Sequence, residues 1–582
     1  MSNINNEFCS DERSIQILIS LLKQHNIRRV VASPGATNIT FVASLQHDPF
    51  FEIYSSVDER SAAYIACGIA AESGEPVVLS CTGATASRNY VPGLTEAYYR
   101  KLPVLAVTST QDEIKIGHMV PQVIDRSCIQ NDIAVLSEHI PVTNSDDLEW
   151  SNTIKLNRAI LALKHHGGGP VHVNLTTSYS RNFSVQEYPS AKKIERICSD
   201  DEFPKLPKGK IAIFIGNHRQ FTETETDIID EFCKANNAIV VCDHTSGYRG
   251  KYKILLSILM SQEKSFCFES YVDLLIHIGE ISGGYITLFP KEVWRVNPDG
   301  ELRDYYRTLS HVFEMDEMSF FWHYSQSPTD VSDSFLKTCR AMLQDCWGKI
   351  SSDIPFSNVW MASQLSQRIP DGSILHLGIL NTLRSWNLFD VKNDVAIHCN
   401  TGGFGIDGCV STLIGASLVH PEKLYFGIVG DLAFFYDMNS IGNRHVGKNL
   451  RLLIVNNGKG TEFRNYRHDG ALFGDEADKY IAAAGHYGNK SPQLVKHYAK
   501  DLGYRYLSAS NKDEFLAAME EFVDDSNMDE SIVFEVFTTN QDESDALKAV
   551  YNTIVDPKVM MKSKVKKLVG ENTVNMIKKI LK

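Results

Sequence analysis

Short β-branched runs alternate with helix-patterned stretches along this 582-residue chain, and they fall into three sets. The first is RRVVAS, EPVVLSC, LPVLAVTS and GPVHVNL, closing near Leu175. The second is KIAIFIG, NAIVVCD, DLLIHIG and EVWRVN, closing by about Ser325. The third is SILHLGIL, DVAIHC, LYFGIVGD, LRLLIVNN and SIVFEVF. Strands that are apolar on both faces belong in sheets covered on both sides, and helices between them make the pairing parallel. The expected fold class is α/β, with three doubly wound parallel-sheet domains. Their expected spans are 1–180, 205–330 and 355–545. Arg181 to Lys210 reads as a polar linker, and a helix is expected near Leu336 to Ile350.

Residues 556–582 differ from all that precedes them. From Lys558 onward there are eight lysines against one glutamate. Val565, Leu568, Val569, Val574, Ile577, Ile580 and Leu581 recur at roughly helical spacing. A basic amphipathic tail is expected, lying either on the protein or on an anionic membrane surface as a peripheral contact. Gly570 interrupts the pattern.

Composition excludes several classes. The net charge of −13 argues against nonspecific nucleic-acid binding. No apolar run reaches membrane-spanning length, and the polar N-terminus MSNINNEFCSDERS is no secretory signal. The twelve cysteines form no CxxC pair, and Cys81, Cys242 and Cys399 sit in strand-like runs. Reduced core cysteines of a cytoplasmic protein are expected, neither disulfides nor zinc ligands.

Chemistry concentrates in GIVGDLAFFYDMNS and LRLLIVNNGKGTEF. One apolar strand ends at Gly430-Asp431, and about one βα unit later a second ends at Asn456-Asn457. In a parallel sheet both ends fall on the carboxyl edge, where ligands bind. An aspartate, an asparagine amide oxygen and a nearby carbonyl are hard ligands that suit Mg²⁺ or Ca²⁺. Gly430, Gly458 and Gly460 would let a phosphate approach the backbone. Gly-Asp alone would be an ordinary strand end; the pair at this spacing favours a metal and diphosphate site.

A second stretch, VDERSAAYIACGIA, opens with Asp58, Glu59 and Arg60 and then holds almost only small or apolar residues. The pattern predicts a helix buried nearly all round, where an unpartnered carboxylate is costly. A helix dipole explains Asp58, but Glu59 asks for a further reason.

These motifs resemble the thiamine diphosphate-dependent decarboxylase and carboligase superfamily. The Gly-Asp and Asn-Asn pair is similar to its metal motif. Further stretches resemble the menaquinone-pathway branch, the 2-succinyl-5-enolpyruvyl-6-hydroxy-3-cyclohexene-1-carboxylate synthases: SPGATNIT, VDERSA, CTGATASRNY, Leu377 to Phe389 around Arg384, NTGGFGIDGCVST, and Leu432 after Gly-Asp. The likeness implies pyrimidine-binding, central and diphosphate-binding domains in that order. It implies that Glu59 bonds the aminopyrimidine and activates the cofactor. A carboxyl in an apolar site favours its protonated form, which suits proton sharing with a ring nitrogen. Asp431, Asn457 and the carbonyl of Lys459 would hold Mg²⁺. Gly430, Leu432, Ala433, Arg384 and Ile406 would contact the cofactor, Ile406 as the wedge that bends it. Gln122 and His118 are implied near the reacting atoms. The family works as a homodimer or homotetramer with active sites at subunit interfaces, so the same is expected here.

The likeness fails where that branch places arginines. Ala36-Thr37, Gln111 and Asn400-Thr401-Gly402 stand there instead, and Leu380 replaces a serine. Arginine grips carboxylate through a charged fork that threonine and glutamine cannot supply. The expected reaction is therefore decarboxylation of a 2-oxo acid, pyruvate being the simplest, with transfer of the acyl carbanion to a less anionic carbonyl acceptor. A sugar-like acceptor in surface polysaccharide assembly would suit the basic tail, and Arg384 or Arg88 could serve a longer donor. Competing readings are a simple non-oxidative decarboxylase, the menaquinone-pathway reaction itself, and a non-catalytic scaffold. The scaffold is disfavoured because Glu59, Asp431 and Asn457 are all present.

Overall fold

The computed structural model describes residues 9–556, apart from 127–128, 266, 285, 486–489 and 527. The chain forms two compact units, Met1–Asp201 with Gly300–Glu314, and Glu202–Asp299 with Met315–Lys582. The basic tail lies outside the described residues. No helix among the described residues is long and apolar enough to cross a membrane.

The first unit is built on strands β1 (Arg29–Ala32), β2 (Glu52–Ser55), β3 (Val77–Cys81), β4 (Val104–Thr110), β5 (Leu136–Ile140) and β6 (Val171–Thr176). They run parallel in the order β2-β1-β3-β4-β6-β5. β3, β4 and β6 are buried throughout, as their uninterrupted apolar runs require. One face packs on Ile15, Leu18 and Leu22, the other on Ala62, Ala66 and Tyr90. A further strand, β7 (Glu195–Cys198), lies within the stretch expected to be a linker.

The helix Glu59–Ser73 is capped by Asp58, whose carboxylate accepts from the Ser61 amide at 3.0 Å. Its alanines face the helix Val91–Tyr99 at very short range. A Cβ on Gly93 would stand 2.4 Å from that of Ala63, so only glycine fits. The expectation of burial all round is corrected here. Ala62, Ala63, Ala66, Cys67 and Ala70 are buried, but Tyr64 and Ile65 are 48% and 43% exposed. Small residues let one helix face pack closely, while the opposite face of the single chain remains uncovered.

In the second unit β8 (Ile211–Ile215), β9 (Ala238–Cys242), β10 (Lys253–Ile254), β11 (Tyr271–Ile278) and β12 (Phe289–Val296) are parallel in the order β10-β9-β8-β11-β12. β13 (Leu309–Glu314) belongs to the first unit and pairs with β7. The second unit continues with the expected helix at Ser334–Lys349. Then follow β14 (Ile374–Leu377), β15 (Ala396–His398), β16 (Tyr425–Gly430), β17 (Leu450–Asn456), β18 (Arg505–Ala509) and β19 (Ile532–Phe537). Their parallel order is β15-β14-β16-β17-β19-β18. Counted within each sheet, this repeats the order of β1 to β6. In both, chain connections diverge between the first and third strands, where an open α/β sheet leaves a crevice for ligands.

Candidate active site

In the second unit, Asp431 opens the short helix Asp431–Tyr436 directly after β16 and is 2% exposed. Its Oδ1 accepts from the Leu432 amide at 2.8 Å, and its Oδ2 from the Gly458 amide at 2.7 Å. The second bond ties the end of β16 to the loop after β17, next to which it pairs. Gly458 has φ +78°, a left-handed turn that glycine adopts without strain. The turn brings Asn457 beside this edge. Its Nδ2 donates to Thr461 Oγ1 at 3.4 Å, while its Oδ1 is buried with no hydrogen-bond partner among the described residues. A buried acceptor left open costs free energy unless something fills it. An asparagine oxygen and an aspartate at one edge are what a hard divalent cation takes. Lys459 fixes the same loop by donating to Asp478 at 2.7 Å.

Two more carboxylates lie under this edge, and sequence reasoning missed both. Glu535 on β19 accepts from Asn456 at 2.7 Å and Tyr506 at 2.8 Å, and burial raises its pKa. Glu543 accepts from Thr538 at 2.8 Å and from the Asn358 amide at 3.1 Å, and burial pushes it up to about 7. Asp431 raises both groups further as a lesser cause. Such an accumulation of acid favours a cation.

Arg384, on the helix Asn381–Trp386 after β14, pairs with Glu462, five residues past Asn457. Both side chains are largely buried. Asn381 stands against the same loop, its amide 2.9 Å from the Thr461 hydroxyl. Glu462 already engages the Arg384 charge, which leaves less of it for a longer anionic donor. No sequence signal marked Glu462, since its partner lies 78 residues earlier in the chain. Glu462 also borders a cavity of about 300 Å³ lined by Ser261, Thr287, Asn465, Arg467 and His468. Ile406 packs part-buried against the cluster holding Val429, Ala433 and Phe434, and Leu432 is half-buried. Thr401 is buried, and Gly430 has open space beside it.

In the first unit, Glu59 is half-buried at its helix start and accepts from Asn89 Nδ2 at 3.2 Å. Gly35 touches the loop after β3 so closely that a Cβ would lie 2.4 Å from that of Thr82. Thr37 belongs to the same junction. Its hydroxyl donates to the Ser109 carbonyl at 2.8 Å, accepts from the Gly83 amide at 3.2 Å and shares a bond with Thr82. Thr37 therefore has no hydroxyl capacity left for a substrate; it staples its own loop to the loop after β3 and to the end of β4. Gln111 accepts from Lys115 at 2.9 Å. His118 and Gln122 sit exposed on the loop after β4, with no side-chain hydrogen bond among the described residues. Gln122 adopts φ +65°.

Residues 13–129 match the family model described as thiamine pyrophosphate enzyme, N-terminal TPP binding domain. The chain is also similar to curated proteins called 2-succinyl-5-enolpyruvyl-6-hydroxy-3-cyclohexene-1-carboxylate synthase. The one from Bacteroides thetaiotaomicron is 28% identical over 568 residues, spanning 94% of this chain and 99% of its own. That from Desulfotalea psychrophila is 25% identical, spanning 88% and 96%. A solved Rhodococcus jostii RHA1 thiamine diphosphate-dependent 4-hydroxybenzoylformate decarboxylase is 14% identical, with a TM-score of 0.39 over 90% of this chain and 99% of that one.

Proposed function

We propose that this chain, which resembles the thiamine diphosphate-dependent superfamily along its length, decarboxylates a 2-oxo acid and transfers the acyl carbanion to a carbonyl acceptor. The observation that carries the cofactor assignment is the open, buried Asn457 Oδ1 on the edge that Asp431 anchors. Asp431, Asn457 and the Lys459 carbonyl would hold Mg²⁺, with Gly430, Leu432 and Ala433 lining the diphosphate. Thiamine diphosphate, when bound, supplies the electron sink that a 2-oxo acid needs to lose CO₂. Glu59 would hold and move the proton on the aminopyrimidine, Ile406 would shape the cofactor, and Gln122 and His118 would meet the substrates.

The uncovered Val57, Tyr64 and Ile65 support a homodimer or larger assembly that buries the helix start carrying Glu59. The cytoplasm is the compartment that fits, since the described cysteines are free thiols and mostly buried.

The acceptor is polar and uncharged at its reacting end, such as a sugar-like ketone or aldehyde. Gln111 and Thr401 stand where the synthase branch uses arginine, and Arg384 is already paired with Glu462, which leaves less positive charge for a carboxylate. The deciding assay compares pyruvate plus hydroxylated aldehydes or ketones with 2-oxoglutarate plus isochorismate. Product from the first pair supports the proposal. Efficient product from the second alone would restore the synthase reaction.

A further inference from the structure

Beneath the loop that follows β4, the first unit buries a positive charge with no counter-ion among the described residues. Arg126 is 5% exposed. Its Nη2 donates to Asn174 Oδ1 at 2.5 Å, while its Nη1 is buried with no partner among the described residues. Among the described residues no carboxylate forms an ion pair with it. Asn174 is itself held by His139, at 2.9 Å. His172 bonds Thr108 at 2.7 Å and Ser137 at 2.8 Å. Burial lowers both histidines, Glu113 opposing this at His139, and the charge on Arg126 lowers both further; His172, at about 3, stays neutral at pH 7. Glu113 approaches His139 at 2.9 Å and makes no ion pair with Arg126. A second cation, Arg88, is near enough to disfavour the charge on Arg126, and it donates to the Asp125 carbonyl at 3.1 Å. Burial lowers Arg126 to about 10, which still leaves it charged.

A buried guanidinium without an anion is expensive, and pairing it with one recovers that cost. This cation lies on the sheet face that also carries Glu59, among the groups around Cys81, on which both Arg126 and Glu59 act. We propose that Arg126, supported by Arg88, receives an oxyanion of the substrate other than the carboxylate that departs as CO₂. Gripping the departing carboxylate would stabilise the ground state and not the transition state, so a second anionic group is the suitable occupant. That group is either a distal carboxylate of the donor or a phosphoryl group of the acceptor. The assignment to substrate rests on the reaction proposed above, but anion binding itself does not.

The test is calorimetric titration and thermal shift of the full chain with inorganic phosphate, glutarate or acetate at constant ionic strength. Phosphate or glutarate should bind and raise the melting temperature, and acetate should not. Arg126→Gln should weaken that binding about tenfold or more, the loss expected of a charge-assisted bond. It should leave the anion-free melting temperature unchanged or higher, because the buried charge is uncompensated. Arg88→Ala, at an exposed site that folding tolerates, should weaken binding by less. Preference for phosphate assigns the acceptor, and preference for glutarate the donor. Absence of binding in the parent, equal binding in Arg126→Gln, or equal binding of acetate would each overturn the proposal. The measurement needs neither cofactor nor turnover, so its failure is distinct from failure of the proposed reaction.

Discussion

The sheets β1 to β6 and β14 to β19 share one strand order, yet their carboxyl edges bury different polar groups. The third sheet gathers Asp431, Glu462, Glu535 and Glu543 around loops that end in Gly-Asp and Asn-Asn. The first gathers Arg126, Arg88, His139 and His172, with Glu113 against His139 and Glu59 at the neighbouring helix start. Topology places a crevice at the same point in each, between first and third strands. The side chains then decide what enters it. An edge rich in oxygen ligands favours a divalent cation and, through it, a diphosphate. An edge with an uncompensated guanidinium favours an anion.

The largest effect should come from breaking the acidic edge. Asp431→Ala removes a proposed metal ligand and the bond to the Gly458 amide together. Calorimetry should show metal-dependent thiamine diphosphate binding weakened by more than the roughly 10–100-fold typical of a lost supporting partner. Parent-like affinity would remove the metal from this edge.

Next comes the acid of the first edge. Glu59→Gln should still bind thiamine diphosphate but exchange its thiazolium C2 proton about 10²–10⁴-fold more slowly. An unchanged exchange rate would leave Glu59 as a helix-start acid and nothing more.

Glu543 offers a pH test that the basic edge lacks. Folded, it holds its proton up to about 7, against an ordinary value of 4.5. Between those values the native state binds more protons than the unfolded state. Stability should therefore fall as pH rises through that window, by about 3 kcal/mol at most. Chemical denaturation of Glu543→Gln should show a flatter profile from pH 4.5 to 7, and an identical slope would contradict the shift.

The smallest effect concerns the staple of the first edge. Thr37→Val strands the Gly83 amide and the Ser109 carbonyl, costing about 1–3 kcal/mol, whereas Thr37→Ser keeps both bonds. If Thr37→Val proves as stable as Thr37→Ser in denaturant titration, the hydroxyl is available to substrate after all.

Central strands were legible because they are apolar on both faces: β3, β4, β8, β9, β16, β17 and β19 each coincide with an apolar run. Several edge strands were not, although the edge strand β15 was read from DVAIHC. β2 is almost wholly exposed, and β18 alternates exposed with buried positions, so neither stands out from loop. β7 hides in the polar stretch for the same reason. The metal edge was legible from Gly-Asp and Asn-Asn because short local motifs suffice to build it. Glu462, Glu535, Glu543 and Arg126 were not, because each matters through partners far away in the sequence.

By itself, then, the sequence determined the α/β class, the three sets of strands and the acid–amide pair at one sheet edge, since hydrophobic periodicity and turn chemistry act over a few residues. Tertiary structure alone decided which polar groups are spent and which remain open. Thr37 turned out saturated, Arg384 already paired, and Asn457 Oδ1 and Arg126 Nη1 unsatisfied among the described residues. Burial and long-range pairing set the free energy of a polar group, and neither can be read from its neighbours along the chain.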